Sequence, residues 1–90
     1  MNRAPAFPAL ASRRLLVVGG SSGIGLATAR LAAAHGALVT VTGRSEQRTA
    51  EAAASIGKAA TGAAFDMTDE KAVEAFFAGN AAFDHIVVTA

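Results

Sequence analysis

The sequence predicts an α/β fold in which helices wind around a parallel sheet on both faces. Two observations support this prediction. Short apolar runs alternate with helical patterns along the 90 residues, and a glycine-rich turn joins the first run to the first helix. Strands that alternate with helices pair in parallel through right-handed crossovers.

Apolar residues and glycines mark the first two strands and helices. The first strand is predicted at residues 14–19, the first helix at 22–35 and the second strand at 37–42. Gly36 closes the first helix, and Ser45 is the predicted N-cap of a second helix that ends near Gly57. Serine accepts a hydrogen bond from a helix's first turn, and glycine suits the left-handed conformation beyond a helix end.

The second half of the chain repeats this pattern. A third strand is predicted at residues 63–65 and a fourth at 83–89, and between them a third helix that is capped by Thr68 and stops at Gly79-Asn80. Thr68 is the predicted N-cap, with Asp69 and Glu70 in the positive first turn of the helix. An apolar stripe at positions i, i+3 and i+4 is predicted for this helix, formed by Val73, Phe76 and Phe77.

The predicted strand order is 3-2-1-4, which places a ligand-binding crevice between strands one and four. The first two helices would cover one face of the sheet, and only the third would cover the other. The fourth strand, with Ile86, Val87 and Val88, would be a bare apolar edge, which monomeric proteins avoid. We therefore expect residues 13–90 to be an incomplete domain. Residues 1–12, before the first strand, are expected to form a flexible arm.

Composition excludes several classes of protein. Apolar residues make up 52% of the chain and charged residues 17%, which fits a buried parallel sheet with alanine-rich helices. No apolar stretch approaches the roughly 20 residues that span a bilayer, and Pro5 and Pro8 interrupt any signal-peptide core. A net charge of +1 does not indicate the basic surface that binds nucleic acid. Because the chain has no cysteine, disulfides, thiolate metal sites and thiolate catalysis are excluded. We expect a cytoplasmic protein.

The glycine-rich turn is the most informative functional motif. Gly19, Gly23 and Gly25 have a G-x-x-x-G-x-G spacing, with Ser21 and Ser22 at the tip as hydroxyl donors. Such a turn holds a phosphate against backbone N–H groups and the positive end of a helix. The alternative is a tight turn without a ligand. A P-loop is excluded because no lysine follows the last glycine.

The turn resembles that of the short-chain dehydrogenase/reductase family, which reads Thr-Gly-x-x-x-Gly-Ile-Gly. This chain keeps Ile24 and departs at Val18, where threonine is usual. Later landmarks follow in the family's order: Thr42-Gly43-Arg44-Ser45, Phe65-Asp66-Met67-Thr68 and residues 83–90. The resemblance covers nearly the whole chain from Arg14 and implies a Rossmann-type doubly wound sheet that binds a nicotinamide dinucleotide.

The end of the second strand favours NADP(H) over NAD(H). A ribose 2′-hydroxyl is typically held by Asp or Glu about 20 residues beyond the glycine turn. Here the chain has Gly43, Arg44 and Ser45, and a guanidinium can grip a 2′-phosphate with two hydrogen bonds. Glu46 is expected within the following helix. The alternative for Arg44 is an ordinary solvated arginine.

The remaining cofactor contacts are implied by the resemblance. Asp66 stands where the family accepts a hydrogen bond from the adenine amino group, although it could instead cap the following helix. Met67 would line the adenine pocket or fill the core. The family's Asn-Asn-Ala-Gly, near the adenosine ribose, is replaced by Val88-Thr89-Ala90, so Thr89 and Ala90 complete the predicted site.

No catalytic or metal-binding role is predicted for the other polar residues. His35 lies in the last turn of a helix, where the helix dipole accounts for it. His85 has only Asp84 beside it, and neighbours on a strand face opposite sides. The carboxylates near residues 66–70 are expected to form a capped helix start rather than a metal site.

The family's reaction is hydride transfer between the nicotinamide and a carbonyl or alcohol, with a serine and a Tyr-x-x-x-Lys pair. This chain contains no tyrosine, so no catalytic residue is predicted in it. We expect the cofactor-binding part of an NADP(H)-dependent oxidoreductase for a small molecule, forming a homodimer or tetramer as the family does. Alternatives are a non-catalytic NADP(H) sensor and a stand-alone small nucleotide-binding domain that dimerises.

Overall fold

The computed structural model describes residues 10–21, 23–80 and 82–89, which form four strands and three helices. The strands are β1 (Arg14–Val18), β2 (Leu38–Gly43), β3 (Ala60–Ala64) and β4 (His85–Val88). The helices are α1 (Gly23–Ala34), α2 (Glu46–Ile56) and α3 (Glu70–Ala78). The strands pair in parallel in the order β3-β2-β1-β4, which confirms the predicted doubly wound topology.

The register brings the carboxyl ends of all four strands to one edge of the sheet. Val18, the last residue of β1, lies opposite Thr42 of β2 and Val88 of β4. Gly43 at the end of β2 lies opposite Ala64 at the end of β3. The segments that follow the strands therefore meet at this edge, where open α/β sheets bind their ligands.

The core lies between the sheet and the pair α1 and α2. Leu15, Val17, Val39 and Val41 face the helices and are buried. The helices contribute mainly small side chains to this cluster: Ala29, Ala32, Ala52 and Ala53. The high alanine content thus serves helices that pack closely on the sheet, as the sequence predicts.

The opposite face has a thinner cover. No residue of α3 is buried, and Phe77, at one end of the predicted stripe, is 39% exposed. Phe76 stacks on Phe65 with the ring centroids 4.7 Å apart and on Phe83 at 5.9 Å. This helix is therefore attached through aromatic contacts to the segments that follow β3 and precede β4.

The fourth strand forms an exposed apolar edge, as predicted. The Ile86 and Val88 residues are 54% and 67% exposed. A surface groove of about 420 Å³ is bordered by α1 and β4, and we call it the α1–β4 groove. It is lined by Leu10, Leu15, Thr28, Leu31, Ala32, His85, Ile86 and Val87.

The predicted start of the third helix is wrong by one residue. Asp69, and not Thr68, is the N-cap of α3, and its Oδ1 accepts hydrogen bonds from the N–H groups of Lys71 at 3.1 Å and Ala72 at 3.3 Å. The carboxylate reaches two donors from this position, whereas the Thr68 hydroxyl is bonded to Asp66 instead.

All four strands differ from their predicted bounds, β1 and β2 by single residues and β3 and β4 by two or three residues at their starts. β3 begins three residues before the predicted start, at Ala60, because its backbone pairs with β2 although its residues are small. β4 is limited to His85–Val88, since the pairing with β1 starts at Leu15 and ends at Val18. The Ser45 cap and the Gly57 end of α2 are confirmed.

Replacing the α3 cap tests this corrected helix start. Asp69→Ala removes the acceptor of two first-turn N–H groups, so we expect the free energy of unfolding to fall by about 1 kcal/mol. The measurement is urea denaturation followed by circular dichroism. Glu74→Ala, at an exposed position of the same helix, is the control and should change stability by less than about 0.5 kcal/mol. An equal loss in both variants would contradict the assignment.

None of the helices in the described part of the chain has the length and apolarity to cross a membrane.

Candidate functional site

A groove of about 660 Å³ lies at the carboxyl edge of the sheet. The segments following all four strands contribute to it. Its lining comprises Val18, Gly19, Ser21, Gly23, Ile24, Gly25, Thr42, Gly43, Arg44, Ser45, Arg48, Phe65, Asp66, Met67, Thr68 and Thr89. This size is typical of small-molecule sites. Every described residue of the predicted site lies in this lining, whereas Ser22 and Ala90 fall outside the described residues.

The glycine turn is fixed to the end of β2 by its backbone. The N–H groups of Gly19 and Gly20 both donate to the Thr42 carbonyl oxygen, each at 3.1 Å. Gly19 has a φ of 84°, a left-handed conformation that favours glycine, as the motif predicts. These two hydrogen bonds therefore fix the position of the glycine turn relative to the end of β2.

Gly25 allows the glycine turn and the first turn of α1 to lie close together. A Cβ atom added there would overlap the Gly19 carbonyl oxygen and lie 2.6 Å from Thr89 Oγ1. No side chain fits without moving backbone. The third glycine of the motif is thus required by the packing of the turn against the first turn of α1.

Thr89 holds the same turn from the β4 side. Its hydroxyl donates to the carbonyl oxygens of Val18 at 2.9 Å and Gly19 at 3.3 Å, and its N–H donates to Val18 at 3.0 Å. The side chain lines the groove, yet its proton is directed at the turn. Thr89 therefore supports the turn, and the ligand contact predicted for it stays a prediction.

Arg44 and Asp66 form an ion pair across the groove. Arg44 Nη2 lies 3.5 Å from Asp66 Oδ1, and the two side chains are 75% and 47% exposed. The Phe65 N–H donates to the Gly43 carbonyl oxygen at 2.9 Å, which places the segment after β3 beside the end of β2. Exposed pairs of this kind contribute little to stability because water screens them. Both groups remain accessible to a ligand.

Asp66 is held ionised mainly by Thr68. Its Oδ1 accepts the Thr68 hydroxyl at 2.7 Å and the Thr68 N–H at 2.9 Å. These hydrogen bonds, together with the smaller effect of the Arg44 charge, lower the pKa of the Asp66 carboxyl, and partial desolvation opposes them. Asp66 thus shapes the turn before α3 and is not the cap of that helix.

Removing the Thr68 hydroxyl should raise the pKa of Asp66. Thr68→Val deletes the strongest hydrogen bond to the carboxylate, so the pKa moves upward toward its ordinary value. Titration of the carboxyl carbon by NMR measures this directly. Thr61→Val, at an exposed position of β3, is the control and should leave the Asp66 titration unchanged; an unchanged titration in Thr68→Val would contradict the assigned cause.

The sign of the effect on stability follows from the direction of the shift. Because folding lowers the pKa of Asp66, the ionised carboxylate favours the folded state at a pH above its unfolded pKa. This contribution disappears as the pH falls through the lower, folded pKa. In Thr68→Val the contribution should shrink and disappear at a higher pH than in the unmodified chain.

Ser45 and Arg48 lie in the groove at the start of α2. Ser45 Oγ accepts the Arg48 N–H at 3.2 Å, as expected of an N-cap. Arg48 is absent from the residues predicted for the site. The available signal was its spacing, since residues three apart share a helix face and Ser45 is at the predicted cap.

The histidines take no part in this groove. His85 lines the α1–β4 groove, and neither histidine is among the residues that surround the glycine turn. Asp84, before β4, accepts a hydrogen bond from the Arg14 N–H at 2.8 Å and therefore attaches β4 to β1. The described residues hold no cluster of histidine and carboxylate groups suited to a metal ion.

Comparison with known proteins agrees with this geometry. The sequence model of the family described as short chain dehydrogenase matches residues 13–86. A serine 3-dehydrogenase of Agrobacterium fabrum is 46% identical over 63 residues, which are 70% of this chain and 25% of that protein. The chain thus spans about a quarter of the length of this relative.

Solved structures show the same likeness. A short chain dehydrogenase/reductase family protein superposes with a TM-score of 0.85 and 44% identity, over 90% of this chain and 34% of its own. A citronellol catabolism dehydrogenase of Pseudomonas aeruginosa PAO1 has a TM-score of 0.73 and 32% identity, over 87% of this chain and 33% of its own. With its parallel sheet, its glycine turn and a family match across most of its length, this chain belongs to the short chain dehydrogenase family.

Proposed function

We propose that the groove at the carboxyl edge of the sheet binds NADP(H). The observation that carries the proposal is Arg44, which follows β2 and lines the groove where a carboxylate would favour a free ribose 2′-hydroxyl. A guanidinium binds a phosphate through two charge-assisted hydrogen bonds. The nearest acidic side chain of α2, Glu46, opens the helix but is absent from the groove lining.

The residues present suit the adenosine diphosphate half of that cofactor. The turn from Gly19 to Gly25 leads directly into α1, whose N-terminal N–H groups and dipole favour the diphosphate. Ser21 adds a hydroxyl donor, and Ser22 and Ile24 complete the motif. Asp66 would accept the adenine amino group, with Met67 beside it.

The negative charge of Asp66 would repel the 2′-phosphate of a cofactor bound in this groove. Its Oδ1 carries all three of its hydrogen-bond and ion-pair contacts from the described residues. That arrangement leaves Oδ2 available to the adenine amino group. The Arg44 guanidinium, 3.5 Å from Asp66 Oδ1, would offset part of the carboxylate charge that a 2′-phosphate meets.

We further propose that the protein is an oxidoreductase that transfers hydride between the nicotinamide and a small carbonyl or alcohol. When bound, the cofactor supplies the hydride chemistry, and these residues bind and orient its adenosine half. No tyrosine occurs in the chain, so none of these residues is assigned the proton transfer. A cytoplasmic homodimer or tetramer is part of the same proposal.

A second function is a non-catalytic NADP(H)-binding protein of the same fold. The observation that favours it is Thr89, which stands where the family reads asparagine and whose hydroxyl is bonded to the glycine turn. Turnover by the complete protein, which would have to supply the proton-transfer residues, separates the two functions. Consumption of NADPH over a panel of carbonyl compounds supports the oxidoreductase, whereas tight binding without turnover supports the sensor.

Calorimetric titration with NADP⁺ and NAD⁺ tests the cofactor assignment. We expect NADP⁺ to bind at least about tenfold more tightly, because one charge-assisted contact to the 2′-phosphate is worth roughly 1.5 kcal/mol or more. Equal affinities, or tighter binding of NAD⁺, would contradict the assignment of Arg44.

A further inference from the structure

The first turn of α2 contributes one cationic side chain to the lining of the groove at the carboxyl edge of the sheet. Arg48 is the third residue of α2 and lines the groove together with Ser45. The two residues that precede Arg48 in α2 do not line this groove. Glu46 lines a separate hollow between α2 and β3, and the Gln47 side-chain amide bonds Glu51 at 3.1 Å. Of the side chains at positions 46–48, only that of Arg48 therefore contributes to the groove.

The electrostatic situations of Arg44 and Arg48 differ. Arg44 lies 3.5 Å from the Asp66 carboxylate, which offsets part of its charge. The guanidinium of Arg48 has no ion pair or hydrogen bond within residues 10–21, 23–80 and 82–89. Two arginines and one aspartate are the charged residues of the lining, so the groove has a net charge of +1, all of which disappears without Arg48.

A phosphate monoester requires more than a neutral groove. It carries a charge of about −1.5 to −2 at pH 7 and three acceptor oxygens. Arg44 alone leaves this charge incompletely balanced while it also contacts Asp66. Arg48 stands about one helical turn from the Ser45 cap, lines the same groove as Arg44 and adds the second cation.

Arg48 does not stabilise α2, so helix stability does not explain an arginine at this position. A cation in the first turn of a helix faces the positive end of the helix dipole, which is an unfavourable interaction. Its side chain is exposed and has no partner in the described part of the chain that would compensate. A charge placed against the helix dipole and toward an anion site is consistent with a role in binding.

We propose that Arg48 is a specificity-determining residue that binds the 2′-phosphate of NADP(H) together with Arg44. This inference rests on the proposed function, since it requires the adenosine end of the cofactor in the groove. It extends that function because two arginine side chains, and not one, would distinguish a ribose with a 2′-phosphate from a ribose with a free 2′-hydroxyl. Arg44 follows β2, and Arg48 belongs to α2.

The test uses two nucleotide probes that differ by one phosphate, 2′,5′-ADP and 5′-AMP. Their dissociation constants are measured by calorimetry for the full chain and for Arg48→Gln, Arg44→Gln and Lys58→Gln. Lys58 is exposed, lies outside the groove lining and gives the same change in net charge. Thermal unfolding without ligand is recorded for each variant.

We expect Arg48→Gln to weaken 2′,5′-ADP binding about five- to tenfold and 5′-AMP binding less than about twofold. Lys58→Gln should change neither constant, and the unfolding temperature of Arg48→Gln should not fall, since the lost cation opposes the helix dipole. Weaker binding that is equal for both probes, or equal in Arg48→Gln and Lys58→Gln, would overturn the inference.

The outcomes separate the inference from the proposed function. If Arg44→Gln loses affinity for 2′,5′-ADP while Arg48→Gln does not, the role of Arg48 is wrong and the NADP(H) proposal stands. If the unmodified chain binds 2′,5′-ADP no more tightly than 5′-AMP, both are wrong.

Discussion

Replacing Gly25 with alanine is expected to remove cofactor binding and to destabilise the fold by about 3 kcal/mol. The added methyl group would overlap the Gly19 carbonyl oxygen and lie 2.6 Å from Thr89 Oγ1. Gly25 is the third residue of α1, where alanine is otherwise favoured by about 1 kcal/mol. The overlap outweighs that preference because the opposing atoms are backbone and a hydroxyl bonded to the turn.

Gly79→Ala is the matched control for this substitution. Gly79 has a φ of −89°, and the nearest atom to an added Cβ is 3.5 Å away, an ordinary contact. We expect its stability to change by less than about 0.5 kcal/mol and its affinity for NADP⁺ to be unchanged. Urea denaturation and calorimetric titration measure both quantities. A Gly25→Ala protein that binds NADP⁺ normally would show that the turn does not hold the cofactor.

Reversing the charge at Arg44 is expected to change the cofactor preference. Arg44→Asp removes the guanidinium proposed to contact the 2′-phosphate and introduces a like charge, whereas a carboxylate can accept the ribose 2′-hydroxyl. We expect the ratio of NADP⁺ to NAD⁺ affinity to fall about 100-fold, from a loss of roughly 3 kcal/mol in NADP⁺ binding.

The neighbouring Asp66 makes a second variant necessary. Because the Arg44 guanidinium lies 3.5 Å from Asp66, Arg44→Asp also puts two carboxylates close together. Arg44→Gln removes the cation without this repulsion, and it should weaken NADP⁺ binding without improving NAD⁺ binding. An unchanged ratio of affinities in both variants would rule out Arg44 as the determinant of preference.

The strand order and the position of the glycine turn could be predicted because they depend on patterns that are local in sequence. Short apolar runs rich in branched residues, such as Leu15–Val18, are typical of buried strands, and the glycines at 19, 23 and 25 mark one turn. Parallel pairing then follows from the intervening helices, and the register brings the predicted residues to one edge. The groove is therefore largely a consequence of topology.

Other features depend on distances that the sequence does not contain. Asp66, Thr68 and Asp69 can all cap a helix, and only the backbone geometry shows that Asp69 does so while Thr68 bonds Asp66. The Arg44–Asp66 ion pair joins segments following different strands, so their contact depends on the β2–β3 register. Arg48 was missed because it lies within a helix, away from the strand ends where the family's motifs occur.

NMR titration of backbone amides with NADP⁺ tests most directly whether NADP(H) binds at the carboxyl edge of the sheet. We expect the largest chemical-shift changes at Gly19, Ser21, Gly43 and Arg44, which line that groove. The amide of Leu31, in the α1–β4 groove, should not move. Saturable changes centred on Leu31 and its neighbours, with the glycine turn unaffected, would contradict binding at that edge.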